Sequence, residues 1–127
     1  MTPGEKNIVK SLVAVAWADG TVKEPEQGII DGLCWAFDAS DEDDAEIREY
    51  AKKKRPLDEA PLGELDDEGK RLLLANAALL THADGKQTKA ETKLLDKLIG
   101  LLGFSADEAK SIVADARTRA GKLASKL

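Results

Sequence analysis

Apolar side chains recur along this chain with the three-to-four-residue spacing of α-helices, not with the two-residue alternation of half-buried strands. In the first predicted helix they lie on all sides, and the segment from Leu12 to Ala18 is an uninterrupted apolar run. A helix that is apolar nearly all round is expected at the centre of a protein, because a surface helix needs a polar face. Asp19 and Gly20 follow the run and predict the end of this helix, since glycine accepts the left-handed turn that closes helices.

Two more helices are predicted before a break near the middle of the chain. Pro25 suits the first turn of the second helix, which has a single apolar face. Ser40 and Asp43 have the spacing of a capping box and predict the start of the third helix. In that helix acidic residues come first and basic residues last, an order that suits the helix dipole. Two prolines then interrupt the pattern, and residues 56–69 are predicted to form an acidic linker.

The second half of the chain follows the same plan. A fourth helix, apolar nearly all round, is predicted from about Lys70 to a second Asp-Gly pair, Asp84 and Gly85. A fifth helix is predicted after Thr88, which has capping-box spacing to an acidic residue. Ser105 and Glu108 have the same spacing and predict the start of a sixth helix over 106–126. The pattern therefore predicts an all-α protein, a helical bundle of about six helices.

The two Asp-Gly pairs mark an internal repeat. They lie 65 residues apart (84 − 19), and a shift of 65 aligns residues 12–40 with 77–105 without a gap. Seven of the 29 aligned positions are identical, whereas ordinary composition gives roughly two by chance. We therefore interpret the chain, residues 1–127, as a single domain of two related helix–Asp-Gly–helix hairpins, roughly 5–40 and 70–105, packed as a pseudo-symmetric bundle.

The charge balance narrows the range of partners. The net charge is −5 and the isoelectric point is near 5.0. Such a domain does not neutralise phosphates, so we expect no nucleic-acid partner and no anionic membrane surface, whereas cations and basic protein surfaces are favoured. No segment reaches the roughly 20 apolar residues of a membrane span, so membrane insertion is not expected. The single cysteine, Cys34, is predicted to be a small buried apolar residue and fits a reducing, cytoplasmic compartment.

Residues typical of catalysis do not form a recognisable constellation in the sequence. Cys34 and His82 are the only cysteine and histidine, and no serine stands in a nucleophile-elbow context. A lone histidine without a nearby cysteine is poor evidence for zinc. We therefore predict that the protein is not an enzyme. Trp17 and Trp35 are predicted to anchor the core, and either one, if exposed, becomes the leading candidate for a partner contact.

The repeated motif resembles the A-D-G-x₅-E signature of the TerB-like tellurite-resistance domains. It occurs twice, as Ala18-Asp19-Gly20 with Glu26 and as Ala83-Asp84-Gly85 with Glu91. The resemblance covers both hairpins and implies an all-α fold in a bacterial stress-related setting. It also implies that acidic residues near the turns bind divalent cations. Related modules are fused to J-domain co-chaperones, and others work beside membrane-bound partners, so the resemblance implies a protein partner too.

A cation site at the turns would use four acidic residues and one further candidate. These are Asp19, Glu26, Asp84 and Glu91, with Glu24 as the further candidate. A hard cation such as Ca²⁺ takes six to eight oxygen ligands, so a tight site needs both turns at the same end of the bundle. The second repeat has Lys89 where the first has Glu24, which weakens a symmetric pair of sites. Alternatively, each acid is structural, because Asp-Gly ends helices and acids favour first turns.

Two functions stay open at this point. The first is a non-enzymatic TerB-like adaptor or sensor that binds a partner protein and, through the turn acids, a divalent cation such as Ca²⁺. The second is a metal-free structural module that docks onto an acidic or helical partner through the exposed face of the sixth helix. That face carries the basic residues Lys110, Arg117, Arg119, Lys122 and Lys126.

Overall fold

The computed structural model describes residues 1–17, 24–53, 57, 62–81 and 89–125, except for the side chains at positions 25, 26, 90, 91 and 119–125. These residues form six α-helices and no strand, so the predicted all-α class is confirmed. The helices are α1 (Pro3–Trp17), α2 (Glu24–Ala36), α3 (Asp41–Ala51), α4 (Asp67–Leu80), α5 (Lys89–Leu102) and α6 (Ala106–Ser125). A 3₁₀ turn at Leu62–Glu64 precedes α4. None of the described helices is long and apolar enough to cross a membrane.

Helices α1 and α4 form the centre of the bundle, as their apolar patterns predict. They pack against each other, and each also contacts the two helices that follow it in the chain. Val9 and Leu12 of α1 and Leu73 and Leu74 of α4 have no exposed surface. Each such leucine or valine stabilises the fold by about 1.5–3 kcal/mol relative to an exposed position, so the buried faces of α1 and α4 contribute much of the stability of the core.

Helix boundaries follow the 65-residue repeat beyond the predicted hairpins. Helix α2 starts at Glu24 and α5 at Lys89, which are 65 residues apart (89 − 24). Helix α3 starts at Asp41 and α6 at Ala106, again 65 residues apart (106 − 41). The repeat of helix starts thus includes a third helix in each half, and we call α1–α3 the first unit and α4–α6 the second unit.

The segment predicted as an acidic linker, residues 56–69, contributes to the core and to α4. Three of its leucines are buried, namely Leu57, Leu62 and Leu65. Helix α4 starts at Asp67, three residues before the predicted start. Asp66 is its N-cap, and the Asp66 side chain accepts a hydrogen bond of 2.7 Å from the main-chain N–H of Gly69. The prediction was wrong here because the first turn of α4 is polar and the apolar pattern begins only after it.

Serine caps position the third helix of each unit. The capping box of Ser40 and Asp43 is confirmed, with the Asp43 N–H donating to Ser40 Oγ over 3.1 Å. The predicted cap of α6 is confirmed as well, because the N–H of Glu108 donates to Ser105 Oγ over 3.2 Å. A cap of this kind stabilises a helix start by about 1 kcal/mol. Ser40 and Ser105 are equivalent in the repeat, so both units set the start of their third helix in the same way.

Candidate functional site

The predicted cation ligands lie largely outside the described residues. Asp19 and Asp84 belong to segments outside the description, and for Glu26 and Glu91 only the helical backbone is described. Glu24 is exposed at the start of α2. Within the described residues, no group of three or more His, Cys, Asp or Glu side chains has the geometry to hold a metal ion. The cation site at the turns therefore stays a prediction, and His82 likewise falls outside the described residues.

The two tryptophans have opposite environments. Trp17 is half-buried at the end of α1, and its indole Nε1 donates a hydrogen bond of 2.8 Å to the main-chain oxygen of Ala51. Trp35 of α2 is 86% exposed. The prediction of a core anchor is therefore wrong for Trp35. Tryptophan has the largest side chain of all residues, and at this position it lies in solvent. Trp35 is therefore the leading candidate for a partner contact.

The position of Trp35 around the axis of α2 predicts that its side chain is exposed. Trp35 comes five residues after the buried Ile30, which places it about 140° round the helix from that residue. Cys34, at four residues, lies on the buried side. The mistaken prediction rested on the size of the aromatic side chain rather than on its position around the helix.

A groove opens beside Trp35 between α2 and α3. Both helices pack against α1 but make few contacts with each other, so a space remains between their outer sides. One part of this space is about 230 Å³ in volume and reaches the side chains of Ile30, Cys34 and Ile47. A second part, about 350 Å³, shares Cys34 with the first and extends to Trp35. The two spaces adjoin through their shared lining residues, and we call them together the α2–α3 groove.

The floor of the α2–α3 groove is apolar. Ile30, Cys34 and Ile47 are each more than nine-tenths buried. Burial, followed by the nearby carboxylates of Asp44 and Asp31, raises the pKa of the Cys34 thiol. A thiol with a raised pKa is protonated and unreactive at neutral pH. The prediction that Cys34 is a buried apolar residue is thus confirmed.

The rim of the α2–α3 groove carries charges of both signs, but the basic ones are already paired. Arg48 Nε lies 2.8 Å from Asp44 Oδ2, and Lys52 Nζ lies 2.9 Å from Glu49 Oε2. The rim carboxylates Asp31 and Asp41 make no ion pair within the described part of the chain. Asp31 accepts a hydrogen bond of 2.9 Å from Gln27 Nε2, which leaves its charge in place. The unpaired charge on the rim is therefore negative.

Ion pairs on the opposite side of α3 hold the helix against α1. Lys6 Nζ lies 3.1 Å from Asp43 Oδ1 and 3.4 Å from Glu46 Oε2. Lys10 Nζ lies 3.1 Å from Glu46 Oε2 and 5.5 Å from the centre of the Tyr50 ring. These contacts tie α3, one wall of the groove, to α1.

Asp43 is the most strongly perturbed carboxyl in this network. Its pKa is lowered to about 2, first by the hydrogen bond from the Ser40 main-chain N–H and then by the hydrogen bond from Lys6. The pKa of Lys6 is raised in turn, chiefly by its hydrogen bond to Asp43. The shifts stem from a helix cap and an ion pair, so they reflect the anchoring of α3 rather than a catalytic pair.

The second unit differs from the first at the groove. Gly100 is the repeat equivalent of Trp35, and α5 forms with this glycine in its last turn. Ala109 and Val113 of α6 replace Asp44 and Arg48, and Ala109 is buried. The second unit therefore forms its helices with neither a tryptophan nor a charged pair at the equivalent positions.

Comparisons with known proteins give no information about the site. No protein-family model, curated protein or solved structure matches the chain. The resemblance to TerB-like domains therefore stays a prediction from the two Ala-Asp-Gly motifs.

Proposed function

We propose that the chain is a non-enzymatic helical adaptor domain that binds a partner protein through the surface around Trp35 and the α2–α3 groove. The 86% exposure of Trp35 carries this proposal. Burying an indole at an interface removes a large apolar surface from water, and tryptophan is among the residues that dominate binding energy at interfaces. In the repeat, glycine replaces it, so protein folding gives no reason for its presence.

The chemistry of the groove supports binding over catalysis. The Cys34 thiol is held in its protonated form, and the guanidinium of Arg48 is occupied by Asp44. A general acid or base needs a pKa near the operating pH, and a nucleophile needs an adjacent base. The groove has an apolar floor next to an exposed indole, and this arrangement is typical of protein interfaces.

We place this adaptor in the TerB-like class on the strength of its repeated motif, with a bacterial stress-related setting as the expected context. Divalent-cation binding by Asp19, Glu26, Asp84 and Glu91 is the second part of the proposal. It is supported by the equal spacing of the turns and of the helices that follow them. Of the two docking surfaces considered, the exposure of Trp35 favours α2 over the basic face of α6.

The protein-binding part is tested by affinity capture from a lysate of the host cell. The bait proteins are the wild type, Trp35→Ser and the matched control Leu101→Ser, which removes the other large exposed apolar side chain of the described surface (46% exposed). We expect a protein that the wild type and Leu101→Ser retain and Trp35→Ser loses, and that binds again when purified. Identical recovery by all three baits would contradict the proposal.

The cation part is tested by calorimetric titration of the chelator-treated protein with Ca²⁺, Mg²⁺, Mn²⁺ and Zn²⁺. A variant with Asp19→Asn and Asp84→Asn is the comparison. Saturable heat that the variant abolishes supports a cation site at the turns. If no cation gives saturable heat, the Asp-Gly pairs are helix stops, and the adaptor functions without metal.

A further inference from the structure

The chemistry of the α2–α3 groove narrows the class of partner. We propose, resting on the adaptor function above, that the groove receives a basic helical segment of the partner protein. Apolar side chains of this segment contact the groove floor, and its lysine or arginine side chains lie against the acidic rim and the Trp35 ring.

The shape of the groove suits a helix. It lies between α2 and α3, and a cleft between two helices accepts the ridge of side chains from a third. An amphipathic helix presents such a ridge at i, i+3, i+4 and i+7, which is the usual mode of helix recognition in apolar grooves. The two parts of the groove, about 230 and 350 Å³, give room for more than one large side chain.

The floor determines where the apolar side chains bind. Ile30 and Cys34 stand one turn apart on α2, and Ile47 faces them from α3. A leucine, isoleucine or phenylalanine seated there excludes water from this floor. Its burial strengthens binding in proportion to the apolar area removed from water.

The rim determines the charge of the partner. Asp31 and Asp41 border the groove without an ion-pair partner in the described structure, and Asp38 is exposed between them in the chain. Arg48 and Lys52 do not offset these charges, because each is paired with a carboxylate of its own helix. The negative electrostatic potential of these carboxylates attracts a basic segment and repels an acidic one.

Trp35 adds a second reason for a basic segment. Its ring stands in solvent beside the rim carboxylates. An arginine or lysine that pairs with one of these carboxylates can also lie over the indole face, where it gains a cation–π attraction to the ring. An uncharged segment would make neither the ion pair nor the cation–π contact.

The comparison of the two units indicates that the groove is specialised. In the second unit the equivalents of Trp35, Asp44 and Arg48 are Gly100, Ala109 and Val113. Ala109 is buried, and α6 packs extensively against α4. The exposed indole and the Asp44–Arg48 pair therefore belong to the first unit alone, whereas the rim carboxylate Asp31 has an equivalent in Asp96.

A display library of helix-forming peptides of about 16 residues tests the inference directly. The library is selected on the wild-type protein and counter-selected on Trp35→Ser. We expect the surviving peptides to have a net positive charge and apolar residues at i and i+3 or i+4. Surviving peptides that are neutral or acidic, or the absence of any Trp35-dependent binder, would overturn the inference.

The best binder is then mapped by NMR. We expect the indole resonance of Trp35 and the methyl resonances of Ile30 and Ile47 to shift, while the methyl resonances of Leu101, which does not line the groove, stay in place. Affinity falls about tenfold or more in Trp35→Ser. Leu101→Ser leaves it unchanged, and a variant with Asp31→Asn and Asp41→Asn weakens it severalfold. Equal loss in Leu101→Ser, or no loss in the aspartate variant, would refute the assigned contacts.

The test separates this inference from the adaptor function on which it rests. A Trp35-dependent partner from the lysate whose contacting segment is acidic or uncharged refutes the basic-helix inference and leaves the adaptor function intact. If neither the lysate nor the library gives Trp35-dependent binding, both fail.

Discussion

Asp38 and Gly103 occupy the same place in the two units, and both have a left-handed backbone, with φ of 57° and 79°. Each residue lies just after the second helix of its unit. The N–H of Asp38 donates to the oxygen of Trp35 and that of Ala39 to the oxygen of Cys34, each over 3.0 Å. These two bonds form a Schellman motif, which satisfies the carbonyl groups at a helix end. The repeat seen in the sequence therefore extends to the backbone geometry of the helix ends.

Substitutions at these two positions are expected to act in opposite directions. Gly103→Ala forces a Cβ into the left-handed region and should lower the free energy of unfolding by about 1 kcal/mol. Asp38→Gly removes such a penalty and should raise it by about 0.5 kcal/mol. Urea denaturation measures both changes. Gly100→Ala is the matched control, because it lies within α5 with no atom near its new Cβ and should be stabilising by up to about 1 kcal/mol. A loss of stability in Gly100→Ala equal to that in Gly103→Ala would contradict this explanation.

The centre of the fold was predictable because a helix without a polar face has no stable place on a surface. This reasoning identified α1 and α4 correctly, and α1 is buried at every position from Ile8 to Ala16 except Lys10. The serine caps were predictable for a similar reason, since Ser40 and Ser105 act on N–H groups only three residues away. Local chemistry fixes such features, so a single sequence contains enough information.

The candidate site was harder to predict because it depends on contacts that the apolar pattern does not record. The groove exists because α2 and α3 both pack on α1 and leave a space between them, which is a tertiary property. Leu57, Leu62 and Leu65 were missed because they stand in an acidic segment interrupted by prolines, which was predicted to be a linker. The position of Trp35 around α2 did contain the signal for its exposure, and the size of the residue outweighed it in the prediction.

Truncation of the core tests the central role of the α1–α4 contact. Leu73 has no exposed surface. Leu73→Ala should lower the free energy of unfolding by about 2–5 kcal/mol, because it removes buried methyl groups and leaves a cavity. Leu101→Ala, at an exposed position on α5, should change it by less than about 0.5 kcal/mol. Chemical denaturation compares the two, and similar losses would show that the packing around Leu73 is not tight.

The pH dependence of stability should include a contribution from Asp43. Its pKa in the folded protein is about 2, below its ordinary value of 3.8, since the Ser40 N–H and then Lys6 favour the charged form. A lowered pKa means that the stabilisation is complete above the unfolded-state value, from about pH 5, and is lost as the pH falls towards about 2. Asp43→Asn keeps an oxygen acceptor without a charge. We expect this variant to be less stable than the wild type at pH 7 and to lose less stability between about pH 5 and pH 2.

Lys6→Met provides the control for this assignment. It removes the ammonium group from Asp43 and keeps the Ser40 cap, so NMR titration should show a rise in the pKa of Asp43 that stops short of the ordinary value. The same titration in the wild type should give a pKa near 2. An Asp43 pKa that does not respond to Lys6→Met would show that the 3.1 Å ion pair is absent in solution.

The two tryptophans permit one substitution to be compared in two environments. Trp17→Phe removes the Nε1–H that donates to the oxygen of Ala51 and should lower the free energy of unfolding by about 1 kcal/mol, with some further loss from the smaller ring. Trp35→Phe should change it by less than about 0.5 kcal/mol, because this side chain is 86% exposed. Thermal and urea denaturation of both variants measure the difference. A loss in Trp35→Phe as large as that in Trp17→Phe would mean that the Trp35 indole packs against the protein, and its assignment as a partner contact would then be wrong.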